Sequence, residues 1–261
     1  MWKKIFGNGG EEKASRNVPL FDRIDRARLP RHVAVIMDGN GRWAQGQGLM
    51  RTAGHTAGVK TLKRILKTAS DIGIEALTVY AFSTENWKRP HAEVEFLMKL
   101  FSEYLDKELR EMNEEQVRIH FLGRMDGLSE GLQRQIREAE ELMKGNTGIR
   151  FNIAANYGGQ DELVRMVQAI ACEALRGEIS PDGIDEQFVE RHLDTYGSPP
   201  VDLVIRTSGD MRLSNFLLWQ TAYAEFWFTD TNWPDFTPEE FVEALVAFGR
   251  RDRRFGGLHE K

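Results

Sequence analysis

The chain has 261 residues, of which 41% are apolar, and it carries a formal net charge of −5 and a single cysteine. This length and apolar content suit one large α/β domain with a substantial core. The acidic balance argues against a broad nucleic-acid-binding surface, which needs clustered Lys and Arg. A lone Cys172 excludes an intramolecular disulfide and a multi-cysteine zinc site. We predict that Cys172 is a small buried residue on a helix.

The first 17 residues contain three glycines and mixed charge, which predicts a flexible tail at 1–17 and one domain over 18–261. No apolar stretch is long enough to span a bilayer, and the first residues lack the apolar run of a secretory signal. We therefore expect a cytoplasmic location.

Hydrophobic periodicity predicts alternating strands and helices along the chain. In chain order the predicted elements are strand 32–37, helix 58–72 ended by Gly73, strand 76–82, a long helix from Pro90 to about Met112, strand 119–122, helix 128–144, strand 149–155, helix 161–175, helix 188–196, strands 201–205 and 226–229, and a last helix from Thr237 to about Arg253. This alternation is typical of a mostly parallel, six-stranded sheet flanked by helices in a single domain.

Polar segments follow four of the predicted strands. They read DGNGRW (38–43), STENWKR (83–89), NYGG (156–159) and RTSGDMRLSN (206–215). Because ligands of parallel sheets bind beyond the carboxyl ends of the strands, we expect these segments to meet at one edge.

The chemistry of these segments indicates anion binding. Gly39 and Gly41 let backbone N–H groups approach a phosphate closely. Asp38 suits Mg²⁺, which takes one or two protein carboxylates together with substrate phosphates. Bidentate donors for phosphate oxygens are offered by Arg42, Arg51, Arg89, Arg206 and Arg212. Any one arginine could be a surface residue or an ion-pair partner, but that interpretation explains their clustering poorly.

Common phosphate motifs do not fit this sequence. The segment GNGRWA (39–44) lacks the third glycine of the dinucleotide fingerprint, and GHTAGVKT (54–61) has the wrong spacing for a P-loop. The absence of any Asp-Asp dipeptide removes the aspartate-rich metal motif of the all-helical trans-prenyl synthases.

Several long blocks resemble the bacterial cis-isoprenyl diphosphate synthases, the undecaprenyl diphosphate synthase family. The resemblance covers about residues 32–257, in the blocks HVAVIMDGNGRWA (32–44), GHTAG (54–58), YAFSTENWKRP (80–90), NIAANYGGQDE (152–162), DLVIRTSGDMRLSNFLLWQTAYAEFWFTDTNWPDF (202–236) and RRFGG (253–257). Multiple blocks in the right order are far more specific than any short motif.

The resemblance implies a cis-prenyltransferase domain over 18–261. It would condense isopentenyl diphosphate repeatedly onto an allylic diphosphate, expected to be farnesyl diphosphate, and so make a long polyprenyl diphosphate. Undecaprenyl diphosphate, a lipid carrier precursor for cell-wall synthesis, is the expected product. The implied cofactor is Mg²⁺ and the implied assembly is a homodimer, with no nucleic-acid partner and transient contact with a membrane surface during product release.

The resemblance also implies a role for each site residue. Asp38 and Asn86 would be catalytic, Asp38 holding Mg²⁺ and Asn86 positioning groups for proton removal, since an amide alone is a poor base. The allylic diphosphate and its chain would contact Gly39, Asn40, Gly41, Arg42, Trp43, Arg51 and His55. The junction between the two substrates and the edge of the site would be formed by Ser83, Thr84, Glu85, Trp87 and Arg89.

The second diphosphate would be bound by Arg206, Arg212, Leu213 and Ser214. Glu225 would be the second metal carboxylate, near the dimer interface, and Arg254 and Gly256 would reach the partner's site. One departure is Asp210, where relatives often carry Glu. The growing chain would need an apolar tunnel, for which the candidates are Val94, Leu97, Met98, Phe101, Leu105, Ile149, Phe151 and Ile153.

Alternatives stay open for some of these residues. His55 could be an ordinary histidine at a helix start, Ser83 and Asn86 could be turn residues, and Glu225 could flank a strand. The chain could also be a non-catalytic partner subunit, or a different phosphate-binding enzyme. The apolar run 216–228 predicts a homodimer interface, because it is too apolar to be comfortably exposed.

Overall fold

Every neighbouring pair of strands in the central sheet is parallel. The computed structural model describes residues 20–252, and within that range six strands lie in the order β3-β4-β2-β1-β5-β6. Their bounds are β1 His32–Ile36, β2 Ala76–Ser83, β3 Arg118–Leu122, β4 Arg150–Tyr157, β5 Leu203–Arg206 and β6 Glu225–Phe228. The predicted parallel α/β fold is confirmed. The predicted tail and the residues Arg254 and Gly256 lie outside the described range.

Seven α-helices flank this sheet within residues 20–252. They are α1 Asn40–Gly46, α2 Arg51–Ile72, α3 His91–Glu114, α4 Glu130–Met143, α5 Gly159–Leu175, α6 Glu186–Glu190 and α7 Pro238–Gly249. Along the same residues there is no helix with the length and apolarity that a membrane span requires. The last helix begins with a capping box, in which Thr237 Oγ1 accepts from the N–H of Glu240.

The four central strands, β4, β2, β1 and β5, are mostly buried on both faces, which is why they read as apolar runs. Val33 and Val35 of β1 point into a large core shared with α2, α3, α4 and α7, while Ala34 and Ile36 point into a second cluster. The second cluster is completed by Phe216 and other residues of the segment after β5. Chain connections leave β1 towards β2 on one side, and β5 and β6 lie on the other. Ligand sites of open parallel sheets form at such a reversal.

Some predicted bounds are wrong for identifiable reasons. The predicted helix 188–196 is only α6, because its second half is a set of turns. The polar segment predicted at 38–43 contains the start of α1, and α2 begins at Arg51 rather than at residue 58. Gly54 and Gly58 suggest a break in a helix, yet both lie within α2. Glycine suits these positions because α1 packs closely on them: a Cβ at Gly54 would collide with the carbonyl oxygen of Asn40.

Two burial predictions also need correction. Cys172 is exposed rather than buried, since it lies on the outer side of α5. Phe216 and Leu217 are fully buried within their own chain, where the ring of Phe216 stacks on Tyr80 at 4.5 Å. Part of the apolar character of residues 216–228 is therefore explained without a partner.

Candidate active site

The loop after β1 places Asp38 at the carboxyl edge of the sheet. Gly39 follows with φ +96°, and a Cβ there would lie 2.6 Å from Ser208 Oγ, so both its conformation and its surroundings favour glycine. The N–H of Gly39 donates to Asp38 Oδ1 at 2.7 Å. At Gly41 a Cβ would lie 2.7 Å from Arg51 Nη1, so the lack of a side chain there lets the Arg51 guanidinium lie against the helix. The glycines therefore let two other chain segments close over the start of α1.

Arg206, the last residue of β5, is the buried centre of the site, with 3% of its side chain exposed. Its Nη2 lies 2.8 Å from Asp38 Oδ2, and its Nη1 donates to Ser214 Oγ at 2.8 Å and to the carbonyl of Arg212. A buried guanidinium needs such partners, because an unpaired charge in the interior is costly. Arg206 thereby links the β1 loop to the loop after β5.

Asp210 joins two more arginines to this group. Arg42 Nη2 lies 2.8 Å from Asp210 Oδ2 and 3.3 Å from Asp38 Oδ2. Arg212 donates to both carboxylate oxygens of Asp210, at 2.8 and 3.0 Å. The hydrogen bond from Arg42, together with Arg212, lowers the pKa of Asp210, so this carboxylate is ionised at neutral pH.

Glu93 organises the opposite wall of the site. It lies 3.2 Å from Arg51 Nε, 3.1 Å from Arg89 Nη1 and 3.4 Å from His55 Nε2. Burial opposes ionisation of Glu93, but the hydrogen bond and charge of Arg51 outweigh it and lower its pKa. Burial and the charge of Arg89 also lower the pKa of His55, so its imidazole is neutral at pH 7.

The segment after β2 forms a 3₁₀ turn, Thr84–Lys88, that borders the site. Asn86 Oδ1 accepts from the N–H of Ser83 at 3.2 Å, and the indole N–H of Trp87 donates to Asn156 Oδ1 at 2.7 Å. Asn86 thus closes a capping box with Ser83. Its amide oxygen shapes the turn, and the residue also lines the larger cavity described below.

The loop that carries Ser214 is held in an unusual backbone conformation. Positive φ angles of 75°, 51°, 63° and 47° occur at the non-glycine residues Ser208, Ser214, Asn215 and Leu217. Asn215 compensates with three bonds: its carbonyl accepts from Gly159 N–H at 2.7 Å, its Oδ1 from Gln160 N–H at 2.8 Å, and its Nδ2 donates to Glu85 at 2.9 Å. Strained backbone held in this way is common at functional sites.

These segments surround one cavity of about 620 Å³. Its lining comprises Ile36, Met37, Asp38, Gly39, Asn40, Gly41, Arg42, Arg51, His55, Tyr80, Ala81, Ser83, Glu85, Asn86, Arg89, Leu97, Arg206, Ser214 and Asn215. A second cavity of about 110 Å³ adjoins it and is mostly apolar, with Val59, Leu62, Phe82, Met98, Phe101, Tyr104, Ile153 and Trp233 in its wall. The two share Met37, Asn40, His55, Ala81 and Leu97. The arrangement suits a ligand with an anionic head and an apolar tail.

Known proteins share this chain's sequence over almost its full length. A prenyltransferase family model, described as undecaprenyl diphosphate synthase, matches residues 36–256. An isoprenyl transferase of Prochlorococcus marinus is 54% identical over 95% of this chain and 94% of its own. The farnesyl-diphosphate-specific ditrans,polycis-undecaprenyl-diphosphate synthase of Escherichia coli is 52% identical over 93% and 96%. The chain belongs to the undecaprenyl diphosphate synthase family.

A solved structure supports the same relationship at the level of the fold. The lavandulyl diphosphate synthase from Lavandula x intermedia, in complex with dimethylallyl diphosphate, superposes with a TM-score of 0.86 at 38% identity, covering 88% of this chain and all of that one. The family, the fold and the prenyltransferase class predicted from the sequence blocks are therefore confirmed.

Most of the predicted site residues of this family member line the larger cavity, but six of them do not. Trp43 is turned towards Asp235, to which its indole N–H donates at 2.7 Å. Thr84 lies against Gly158, where a Cβ would be 2.7 Å from its Oγ1. The six outside the lining are Trp43, Thr84, Trp87, Arg212, Leu213 and Glu225.

Glu225 is not brought together with Asp38 in one chain. It begins β6 and pairs in register with Leu203, whereas Ile36, two residues before Asp38, pairs with Arg206. Leu203 and Arg206 are three residues apart, so Glu225 and Ile36 differ in position by roughly 10 Å along the strand direction. Glu225 Oε2 instead lies 2.6 Å from Arg251 Nη1, and Arg251 Nη2 donates to the carbonyl of Phe226 at 2.9 Å.

Sequence reasoning missed Glu93 and Asn215. Glu93 lies four residues after Arg89 in the predicted long helix, a spacing that favours ion pairs and would have been its signal. Asn215 has no comparable signal, because its role depends on a left-handed backbone conformation. Of the predicted tunnel residues, Leu97, Met98, Phe101 and Ile153 line the apolar cavity, while Val94, Leu105, Ile149 and Phe151 are buried outside its lining.

Proposed function

We propose that this chain is a cis-prenyltransferase that condenses isopentenyl diphosphate repeatedly onto farnesyl diphosphate to give undecaprenyl diphosphate. The observation that carries the proposal is the junction of the arginine-lined cavity with the apolar cavity through Asn40, His55 and Leu97. An allylic diphosphate would place its head among the arginines and its hydrocarbon in the apolar cavity.

Two anion subsites follow from the positions of the arginines. One is bounded by the start of α1 with Arg42, Arg51 and His55, and would hold the allylic diphosphate. The other lies around Arg206 and Ser214 and would hold the diphosphate of the homoallylic substrate. Fixed cations stabilise the charge that develops on a leaving diphosphate, and they act most strongly in a site shielded from water.

Asp38 fits a divalent cation such as Mg²⁺. Its side chain is 30% exposed and faces the larger cavity, where substrate phosphates would complete the coordination shell. Among residues 20–252 no group of three His, Cys, Asp or Glu side chains could hold a metal alone. The ion would act as a Lewis acid on the leaving diphosphate. Asn86 would position the proton-accepting group, since its amide is held by Ser83.

We further propose a homodimer, in which Glu225 would serve the site of the other copy. β6 is the outer strand of the sheet, its four side chains are only half-buried, and Tyr223 just before it is 68% exposed. Sedimentation at micromolar concentration measures the assembly state, and a monomer would count against this part of the proposal.

The test of function is incubation of the purified chain with farnesyl diphosphate, labelled isopentenyl diphosphate and Mg²⁺, followed by chain-length analysis. We expect a polyprenyl ladder that Asp38→Ala abolishes and that Asp182→Ala, an exposed carboxylate on the 3₁₀ turn Pro181–Gly183, leaves unchanged. A folded wild-type chain that yields no product would favour the non-catalytic partner subunit, and phosphate release from nucleotides would favour another enzyme class.

A further inference from the structure

Asp210 occupies guanidinium donors of Arg42, which lines the larger cavity, and of Arg212, which lies outside the cavity lining. Arg212 directs both terminal nitrogens of its guanidinium at the two carboxylate oxygens, at 2.8 and 3.0 Å. This bidentate geometry is the one that Arg uses for phosphate. Arg42 directs Nη2 at Asp210 as well, and its Nη1 donates to the carbonyl of Ser208 at 2.8 Å. Neither guanidinium can bind a phosphate with both terminal nitrogens while it is bonded to Asp210.

We propose that Asp210 is an internal competitor for substrate diphosphate: its carboxylate holds Arg42 and Arg212 in the free chain, and a diphosphate must displace it to reach their donors. This inference rests on the proposed function and assigns Asp210 a role in setting diphosphate affinity. A diphosphate that leaves the site would be replaced by the carboxylate, so the arginines are never left without an anion.

Among the carboxylates that pair with the site arginines, Asp210 is the one best suited to be displaced. Glu93 is only 12% exposed and is shared by Arg51, Arg89 and His55, so it is fixed in the wall. Asp38 is the candidate metal ligand. Asp210 is 27% exposed and lies on a loop, so water can solvate it once the arginines turn to a phosphate.

The opposite interpretation makes a different prediction. If Asp210 mainly orients Arg42 and Arg212 for substrate, its loss should weaken anion binding, since the two forks would lose their preorganisation. If it competes, its loss should strengthen anion binding, because a negative charge and a bidentate partner are both removed. The sign of a single affinity change therefore distinguishes the two roles.

The experiment is calorimetric titration of the full chain with inorganic pyrophosphate in metal-free buffer containing EDTA. We expect Asp210→Asn to bind pyrophosphate about tenfold more tightly than wild type, since it releases two partly exposed arginine–carboxylate pairs, each worth up to about fivefold. Asp210→Glu, which retains the charge, should bind as wild type does. Asp235→Asn removes a carboxylate of the same face that accepts from Trp43 rather than from an arginine, and should change affinity less than twofold.

A double-mutant measurement on Asp210 and Arg212 separates loss of their pairing from a general effect of removing a negative charge. In the Arg212→Ala background, Asp210→Asn should raise the affinity for pyrophosphate by less than about threefold. The Arg212 guanidinium that this substitution would release is absent from that background. Equal or weaker pyrophosphate binding by Asp210→Asn, or equal gains in Asp210→Asn and Asp235→Asn, would overturn the proposal. Polyprenyl synthesis is assayed in parallel: a wild-type chain without product refutes the proposed function, whereas an active wild type with no affinity gain refutes only the role of Asp210.

Discussion

Arg206 Nη2 lies 2.8 Å from Asp38 Oδ2, although the two residues are 168 positions apart in the chain. They meet because β1 and β5 are adjacent parallel strands whose carboxyl ends coincide, with Ile36 and Arg206 in register. A buried cation at the end of one strand thereby holds a carboxylate at the end of its neighbour. The pair connects the candidate metal ligand to the proposed second diphosphate subsite.

Arg206→Lys should impair use of the second substrate. A single ammonium cannot reach Asp38, Ser214 Oγ and the Arg212 carbonyl at once, as the planar guanidinium does. We expect kcat/KM for isopentenyl diphosphate to fall roughly 10- to 100-fold, from the loss of one or two charge-assisted bonds. Steady-state kinetics with each substrate varied measures this. Arg110→Lys, at an exposed ion pair on α3, is the control, and equal losses for both substrates would contradict the assignment.

Gly54→Ala should destabilise the fold and distort the site together. The new methyl group would meet the backbone carbonyl of Asn40, so α1 would have to move away from α2 and carry Arg42 with it. We expect a loss of more than about 2 kcal/mol in the free energy of unfolding, as for overpacked cores. Thermal and denaturant unfolding measure it.

Gly46→Ala is the matched control for that variant. Gly46 ends α1, and a Cβ there would have no atom within 4 Å. Alanine favours a helix over glycine by up to about 1 kcal/mol, so this variant should be neutral or slightly more stable. If both variants behaved alike, close packing of α1 on α2 would not be the reason for Gly54.

Stability should fall in mild acid because of His32. This fully buried histidine is held by the Pro199 carbonyl at 2.7 Å and by Thr78 Oγ1 at 2.6 Å, and burial lowers its pKa to about 4. The unfolded chain has a histidine pKa near 6.5 and gains the proton first as pH falls. The resulting stabilisation is therefore complete above about pH 6.5 and is lost as pH drops towards about 4, by about 3 kcal/mol in total.

Denaturant unfolding between about pH 7.5 and 4.5 tests this, a range that spans most of the shift. His32→Asn should be less stable at neutral pH but should show a shallower decline with acid than wild type. His91→Asn, at an exposed position 87% accessible to solvent, should retain the wild-type decline. Parallel curves for wild type and His32→Asn would show that other groups cause the acid sensitivity.

Narrowing the apolar cavity should shorten the product. Val59 of α2 lines this cavity and is only partly buried, so Val59→Phe can be accommodated while filling part of its 110 Å³. We expect the product ladder to end at shorter chains, with the rate of the first condensation changed less than about threefold, since the diphosphate subsites are untouched. Radiolabelled product analysis measures both. Val189→Phe, in the separate cluster around α6, is the control, and an unchanged ladder for Val59→Phe would place the growing chain elsewhere.

The sequence predicts the sheet well because the central strands are apolar on both faces and four of the six predicted strands end in a polar segment. Strands 32–37 and 76–82 stop close to where β1 and β2 stop, and the arginines after them converge as parallel pairing requires. Helix α1 was not predicted from the sequence, because glycine usually breaks helices. Glycine in this helix allows close packing against α2, and no sequence pattern reveals that contact.

The remaining differences arise from tertiary context. The burial of residues 216–217 could not be predicted, because it depends on their packing in the second cluster, where Phe216 stacks on Tyr80 of β2. Glu225 is hard to place from sequence alone, since a metal role and a strand-flanking role use the same residue type. Only the strand register shows that it lies at the opposite end of the sheet from Asp38.

The Arg251 side chain restricts the pairing of a further strand with the outer edge of this sheet. Glu225 and Thr229 direct their N–H groups to β5, so the alternate residue Phe226 turns its carbonyl outward, and that carbonyl is the group that Arg251 Nη2 binds. A further strand aligning on β6 would have to remove a charged side chain first, which natural sheets use as protection against edge-to-edge aggregation. Two copies that meet on this side must therefore do so through side chains, without merging their sheets.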